Sequence, residues 1–154
     1  MESHRMAPQM VSTPGQQVTR AARLFARVAD ARLKPLGFTL GQVPVLVALR
    51  DGQALPQAEL ARLARTEQSS MAQLLDRMER DGLIQRVPDP QDGRRRLISL
   101  TPAAAGQMTA ARQAVTGVAE EASLGFTSEE QALLLGLLTR FGDNLETIAA
   151  RLAP

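Results

Sequence analysis

Cysteine, tryptophan and tyrosine are absent from this chain, and histidine occurs once, as His4. Without cysteine there are no disulfides, no thiolate metal sites and no thiol-based sensing of oxidants. The one imidazole lies in a polar, aperiodic N-terminal segment, a poor place for a catalytic base. Carboxylates and serines are all that remain for catalysis. The pairs Glu120-Glu121 and Glu129-Glu130 read as helix-surface and capping charges. An enzyme is therefore not expected, nor a metal or another cofactor. No apolar run approaches a membrane span and no signal-peptide pattern is present, so the expected location is cytoplasmic. Lysine is scarce as well. Of 18 basic residues, only Lys34 is not arginine.

What is present suits one folded domain with an adequate core: 154 residues, 44% of them apolar. The net charge of +2 does not by itself argue for nucleic acid. Arginine forms bidentate bonds to guanine and phosphate that lysine cannot. A GC-rich genome, which favours arginine and alanine codons, accounts for most of that bias.

Residues 67–101 organise the chain. Met71, Leu74, Leu75 and Met78 recur at i, i+3, i+4 and i+7, one face of a helix. Gln68, Ser69, Gln73, Arg77 and Arg80 take the other face. Gly82 stops the helix, tolerant of positive φ. Residues 83–87 and 97–100 read as two extended runs. Between them lie the turn formers Pro88 to Gly93 and then Arg94, Arg95 and Arg96. A polar-faced helix followed by a hairpin with an arginine-rich tip is a winged helix-turn-helix. The helix is shaped for a major groove, and the tip for adjacent phosphates or the minor groove.

The flanking segments read as helices. Residues 1–13 form a polar tail expected to be disordered. Thr13 caps a first helix with Pro14 in its first position, and Val18, Ala21, Ala22, Phe25, Val28, Ala29 and Leu33 form its apolar stripe. Thr39 caps a second helix running to about Arg50, with Pro44 near its start. Pro56 opens a third helix, with Leu60 and Leu63 inward. Thr66 is the expected cap of the helix that follows. Thr101 and Pro102 start a fifth helix reaching about Leu124. Thr127 and Glu130 form a capping box for the last one. The fold class is thus mainly α with a small β-hairpin wing.

Leu75-x-Arg77-Met78-Glu79, Gly82-Leu83-Ile84-x-Arg86, Asp89-Pro90-x-Asp92-Gly93-Arg94 and Leu100-Thr101 together resemble the signature of the multiple-antibiotic-resistance regulator (MarR) family. The resemblance extends in outline over residues 14–152. It implies one continuous domain: a dimerisation helix in 14–37, the winged helix-turn-helix in 38–101, and dimerisation helices in 102–154. It also implies a bacterial homodimeric transcription regulator, usually a repressor, often released from its operator by a small ligand. The family often carries arginine where Gln68 and Gln73 stand, an aromatic residue where Val43 stands, and glycine where Ala104 stands.

Base or phosphate contacts are expected from Gln68, Ser69, Ser70 and Gln73, with Arg77 either on a phosphate or paired with Asp81. Arg94 matches the wing arginine of the family, and Arg95 and Arg96 extend that tip. Asp92 is expected to order the tip, by pairing with Arg94 or by bonding turn amides. The last helix carries Leu134, Leu137, Leu138, Phe141, Leu145 and Ile148, a stripe too broad for one small domain to cover, and these are the expected dimer contacts. A ligand pocket, if present, would draw on Arg23, Phe25, Phe38 and Met108, with Arg20, Arg27 or Arg112 as further positive charge. The partners would be an operator in double-stranded DNA, a second copy of the chain and a small effector. A winged-helix adaptor binding an acidic protein, and an activator without a ligand, remain as alternatives.

Overall fold

The computed structural model of the protein describes residues 12–152. Of the expected tail, residues 1–13, only Ser12 and Thr13 are described; the rest, His4 included, lies outside. Two compact units divide after Val118 and are taken in turn.

Helix α1 (Pro14–Leu33) begins as its sequence dictates. The Gln16 amide donates to the Thr13 hydroxyl at 3.3 Å, and the Thr13 amide donates back to Gln16 Oε1 at 3.0 Å. Only Ala29 and Leu33 of its apolar stripe are buried. Gly37, at φ +82°, reverses the chain after a 3-10 turn, Lys34–Leu36. Thr39 caps the next segment with Gln42. The single helix expected there is instead a 3-10 turn, Leu40–Gln42, followed by a short α2 (Val43–Ala48). Pro44 is the reason: it has no N–H to donate back to Leu40, so α-type bonding starts only beyond it.

Helix α3 (Gln57–Leu63) has Pro56 as its N-cap. Leu60 is buried as expected, but Leu63 is 48% exposed. Ala61, with Ala64 beside it, joins Leu60 on the inner face, and at 3.6 residues per turn that face leaves Leu63 roughly 110° away. Arg65, at φ +50°, makes the turn into α4 (Gln68–Arg80). Glu67, not Thr66, is the N-cap, and no side chain caps α4. Thr66 sits one residue too early, its amide already bonded to the Ala61 carbonyl at 3.0 Å.

Gly82, at φ +72°, ends α4. Strands β1 (Ile84–Pro88) and β2 (Arg96–Leu100) then pair antiparallel, with Ile84 opposite Leu100 and Pro88 opposite Arg96. Leu55 adds a one-residue third strand that the sequence did not announce. Its amide donates to the Ile98 carbonyl at 3.0 Å and its carbonyl accepts from Ile98 at 2.8 Å. Thr101 joins three elements: its hydroxyl donates to the Gly82 carbonyl at 2.7 Å and accepts the Ala104 amide at 3.3 Å, capping α5 (Pro102–Ala122).

The core of this unit is Leu33, Leu46, Leu49, Leu60, Met71, Leu75, Met78, Ile84 and Ile98, all nearly free of solvent. It locks α3, α4 and the hairpin into a winged helix-turn-helix. In the second unit, the Thr127 and Glu130 capping box opens α6 (Ser128–Leu152) as expected. No residue of α6 is buried. Leu134, Leu137, Leu138, Leu145 and Ile148 are 42–50% exposed, and Phe141 is half-buried.

Two glycines should respond to alanine with opposite signs. At Gly82 an added Cβ meets nothing within 4 Å, yet the left-handed backbone resists it, so Gly82→Ala should cost about 1 kcal/mol. Gly106 lies inside α5 with the same free space and no positive φ, so Gly106→Ala should stabilise by about 0.5–1 kcal/mol. Chemical denaturation of both variants checks the pair.

Candidate nucleic-acid interface

Burial of Met71, Leu75 and Met78 fixes the rotation of α4 about its own axis. Gln68, Ser69, Ser70, Gln73 and Arg77 are thereby turned to solvent, all five exposed. The start of α4 is held by α3, since Gln57 Nε2 donates to the Gln68 carbonyl at 3.4 Å. On α3 itself, Arg62 Nε donates to Glu59 Oε2 at 2.9 Å, and that bond holds the Glu59 carboxyl below its ordinary range. The expected pair between Arg77 and Asp81 is not formed. Asp81 is the C-cap of α4, and its link to Arg77 is the backbone bond from its amide to the Arg77 carbonyl at 3.0 Å.

The ion pairs of α4 are made with the hairpin instead. Arg86 of β1 donates from Nη2 to Asp76 Oδ1 at 2.8 Å and from Nη1 to Glu79 Oε2. Its side chain is 26% exposed, the least of the three partners.

The wing tip is built by two aspartates. The Gln91 amide donates to Asp89 Oδ1 at 2.9 Å, and the Arg94 amide to Asp92 Oδ1 at 3.1 Å. Backbone bonds close the loop: the Asp89 amide to the Arg95 carbonyl at 3.0 Å, and the Arg95 amide to the Asp92 carbonyl at 2.9 Å. Asp92 thus orders the tip through a turn amide and not through the Arg94 guanidinium. Arg94, Arg95 and Arg96 are all exposed, and among the described residues none of them joins an ion pair. Sequence reasoning gave Asp89 and Arg86 no role. The Asp89-Pro90-Gln91 turn chemistry pointed to the first; nothing local pointed to the second, whose partners lie seven and ten residues back.

None of the described cavities is lined by all four expected pocket residues. Phe38 is 2% exposed and belongs to the core. Arg23 lies in a groove on the surface of α1 with Arg20, Leu24 and Arg27. Phe25 is half-buried on α1. Met108 lines a cavity of about 190 Å³ between α2 and α5. Val43, Leu46 and Val47 form one wall; Met108, Ala111 and Val115 form the other, with Arg112 and Thr116 as its polar groups. Among the described residues no cluster of acidic or imidazole side chains could hold a metal, and no helix is long and apolar enough to cross a membrane.

Residues 36–95 match the model of the MarR family. The chain is 28% identical over 133 residues to an uncharacterized HTH-type transcriptional regulator, YybA, of Bacillus subtilis (strain 168), spanning 85% of this chain and 87% of that protein. Among solved structures it is similar to a probable transcriptional regulator from Pseudomonas aeruginosa, at 32% identity and a TM-score of 0.75, covering 84% of this chain and 97% of that one. It is also similar to a single-site mutant of MarR from E. coli complexed with operator DNA, at 26% identity and a TM-score of 0.73, covering 82% and 91%.

Removing the Asp92 carboxylate should loosen the tip without touching the core. Asp92→Ala should speed hydrogen exchange of the Arg94 amide roughly fivefold, as loss of one hydrogen bond implies. The amides of Leu55 and Ile98, bonded in the sheet beneath, should keep their protection. Exchange followed by NMR distinguishes the two.

Proposed function

Since this chain belongs to the MarR family of transcriptional regulators, we propose that it is a homodimeric repressor that binds a palindromic operator and is released by a small aromatic ligand. One observation carries the DNA reading. The polar face of α4 and the arginine tip of the wing are carried by elements packed on one core, and among the described residues neither joins an ion pair. The α4 face enters a major groove, where Gln68, Ser69, Ser70 and Gln73 meet base edges or phosphates and Arg77 meets a phosphate. Arg94, Arg95 and Arg96 take the flanking phosphates or the minor groove. The operator complex of the E. coli relative supports the same partner here.

The unburied leucine stripe of α6 supports the dimer. Leu134, Leu137, Leu138, Phe141, Leu145 and Ile148 share a helix face that water does not favour, and a second copy covers it. Two-fold symmetry then sets two half-sites about one helical turn apart. The α2–α5 cavity supports the effector. Its 190 Å³ is below the roughly 300–1,000 Å³ of drug-sized sites, which suits a single-ring acid whose carboxylate meets Arg112.

Two measurements test this reading. On a duplex selected from random sequence, the wild type should bind as a dimer, shown by sedimentation of the complex. Arg94→Ala should then weaken binding roughly tenfold or more and lower the slope of log K against log salt by about 1. Unchanged binding would remove the wing from the interface. For the effector, a panel of single-ring aromatic acids should raise the melting temperature of the wild type. Arg112→Ala should lose that shift, and a flat response across the panel would leave the cavity without its ligand.

A further inference from the structure

The wing is tied to the body at its base and projects beyond it. Ile84 and Ile98 are buried, Leu55 bridges Ile98, and Thr101 reaches back to Gly82. Beyond Val87, the hydrogen bonds found among the described residues stay within the hairpin. Arg86 is the outermost side chain that joins the hairpin to the recognition helix, and it holds two carboxylates at once.

This arrangement is electrostatically odd for a DNA-binding surface. Asp76 and Glu79 lie one turn apart on α4, and both are more exposed than the arginine between them. Two carboxylates on a helix beside a phosphate backbone repel the ligand and each other. A surface selected for charge alone would not carry them. Their joint hold on one guanidinium gives a reason for them. A planar fork with fixed donors, bonded to two points on the helix, fixes direction as well as distance.

We propose that Arg86 is a positioning residue: its fork on Asp76 and Glu79 sets the angle between the recognition helix and the wing, so that α4 and Arg94 engage one operator together. The inference rests on the DNA reading above. It separates from that reading because the angle exists in the free protein.

Opposed electrostatic signs make the test sharp. Asp76→Asn combined with Glu79→Gln removes two negative charges beside the DNA. Coulomb attraction alone predicts stronger binding to every duplex. Loss of the clamp predicts stronger binding to random duplex but weaker binding to the selected operator, with the ratio of the two falling roughly tenfold or more. Fluorescence anisotropy at fixed salt reads both. In the Arg86→Met background, Arg94→Ala should cost much less than in the wild type, since a misdirected wing has little left to lose. Arg86→Lys, which keeps the charge but loses the fork, should restore only part of the ratio. A specificity ratio that holds or rises in the Asp76/Glu79 double variant overturns the proposal.

Should the wild type bind no duplex at all, the DNA reading fails and the clamp is judged on the free protein. The chain has no cysteine of its own, so Gln73→Cys and Gln91→Cys can carry a pair of nitroxide labels. Labelled chain is diluted into unlabelled chain to isolate the distance within one subunit. Arg86→Met should broaden or shift that distance distribution while the melting temperature stays well above that of the measurement. An unchanged distribution overturns the clamp whether or not DNA binds.

Discussion

The structure depends on the burial of one side of one helix. Met71, Leu75 and Met78 have no exposed surface, and each contributes roughly 1.5–3 kcal/mol by leaving water. That energy fixes how α4 is rotated against Leu33, Leu46, Leu49 and Leu60. Rotation decides everything on the outer face, because residues there are held at roughly 100° intervals to the buried ones. Gln68, Ser69 and Gln73 present themselves together only because three other side chains cannot. The site is therefore a consequence of the core, and a shift in core volume would reach it before any change in its own residues.

The wing obeys a different constraint. It has too few residues for a core, so hydrogen bonds shape it. Asp89 and Asp92 each give a carboxylate oxygen to a backbone amide two residues on, the geometry in which these side chains favour turns. The result frees the arginines. A tip held by aspartate–guanidinium pairs would have neutralised the charge it presents. Because backbone amides satisfy the aspartates instead, Arg94, Arg95 and Arg96 keep their charge for a partner. The hairpin base shows the opposite arrangement, with Arg86 wholly engaged by Asp76 and Glu79. Position along one short hairpin thus divides its arginines into those that build and those that face outward.

Local chemistry was legible in the sequence, and distant chemistry was not. Thr13, Thr39, Thr101 and Thr127 cap where their neighbours demanded, and Gly82 takes its positive φ, because each of these features is decided within a few residues. The failures share a cause. Arg65 turns left-handed without being glycine, at roughly 1–2 kcal/mol, since the packing of α3 on α4 requires a tight turn there. Thr66 lost the cap to Glu67 because the same turn had already taken its amide. Leu55 enters the sheet as a single residue, too short for any period. The α2–α5 cavity draws its walls from segments some sixty residues apart. Phe38, offered as a pocket residue for its ring, lies in the core, where phenylalanine is most often found.

The last helix gives the physical case for a second subunit. Most helical stability in folded proteins comes from packing an apolar face, with propensity alone giving only marginal order in water. Helix α6 runs from Ser128 to Leu152 with no buried residue. Its leucines occupy more than one face. Helix α1 repeats the pattern in part: Ala21, Ala22, Leu24 and Val28 remain exposed along a well-capped helix. Core residues elsewhere in the chain lose nearly all their surface, so this sequence makes buried helices readily where it has the means. Both helices leave apolar side chains open to solvent. In the proposed dimer a second copy would cover those side chains, and in doing so would also deliver the second recognition helix that a two-fold operator requires.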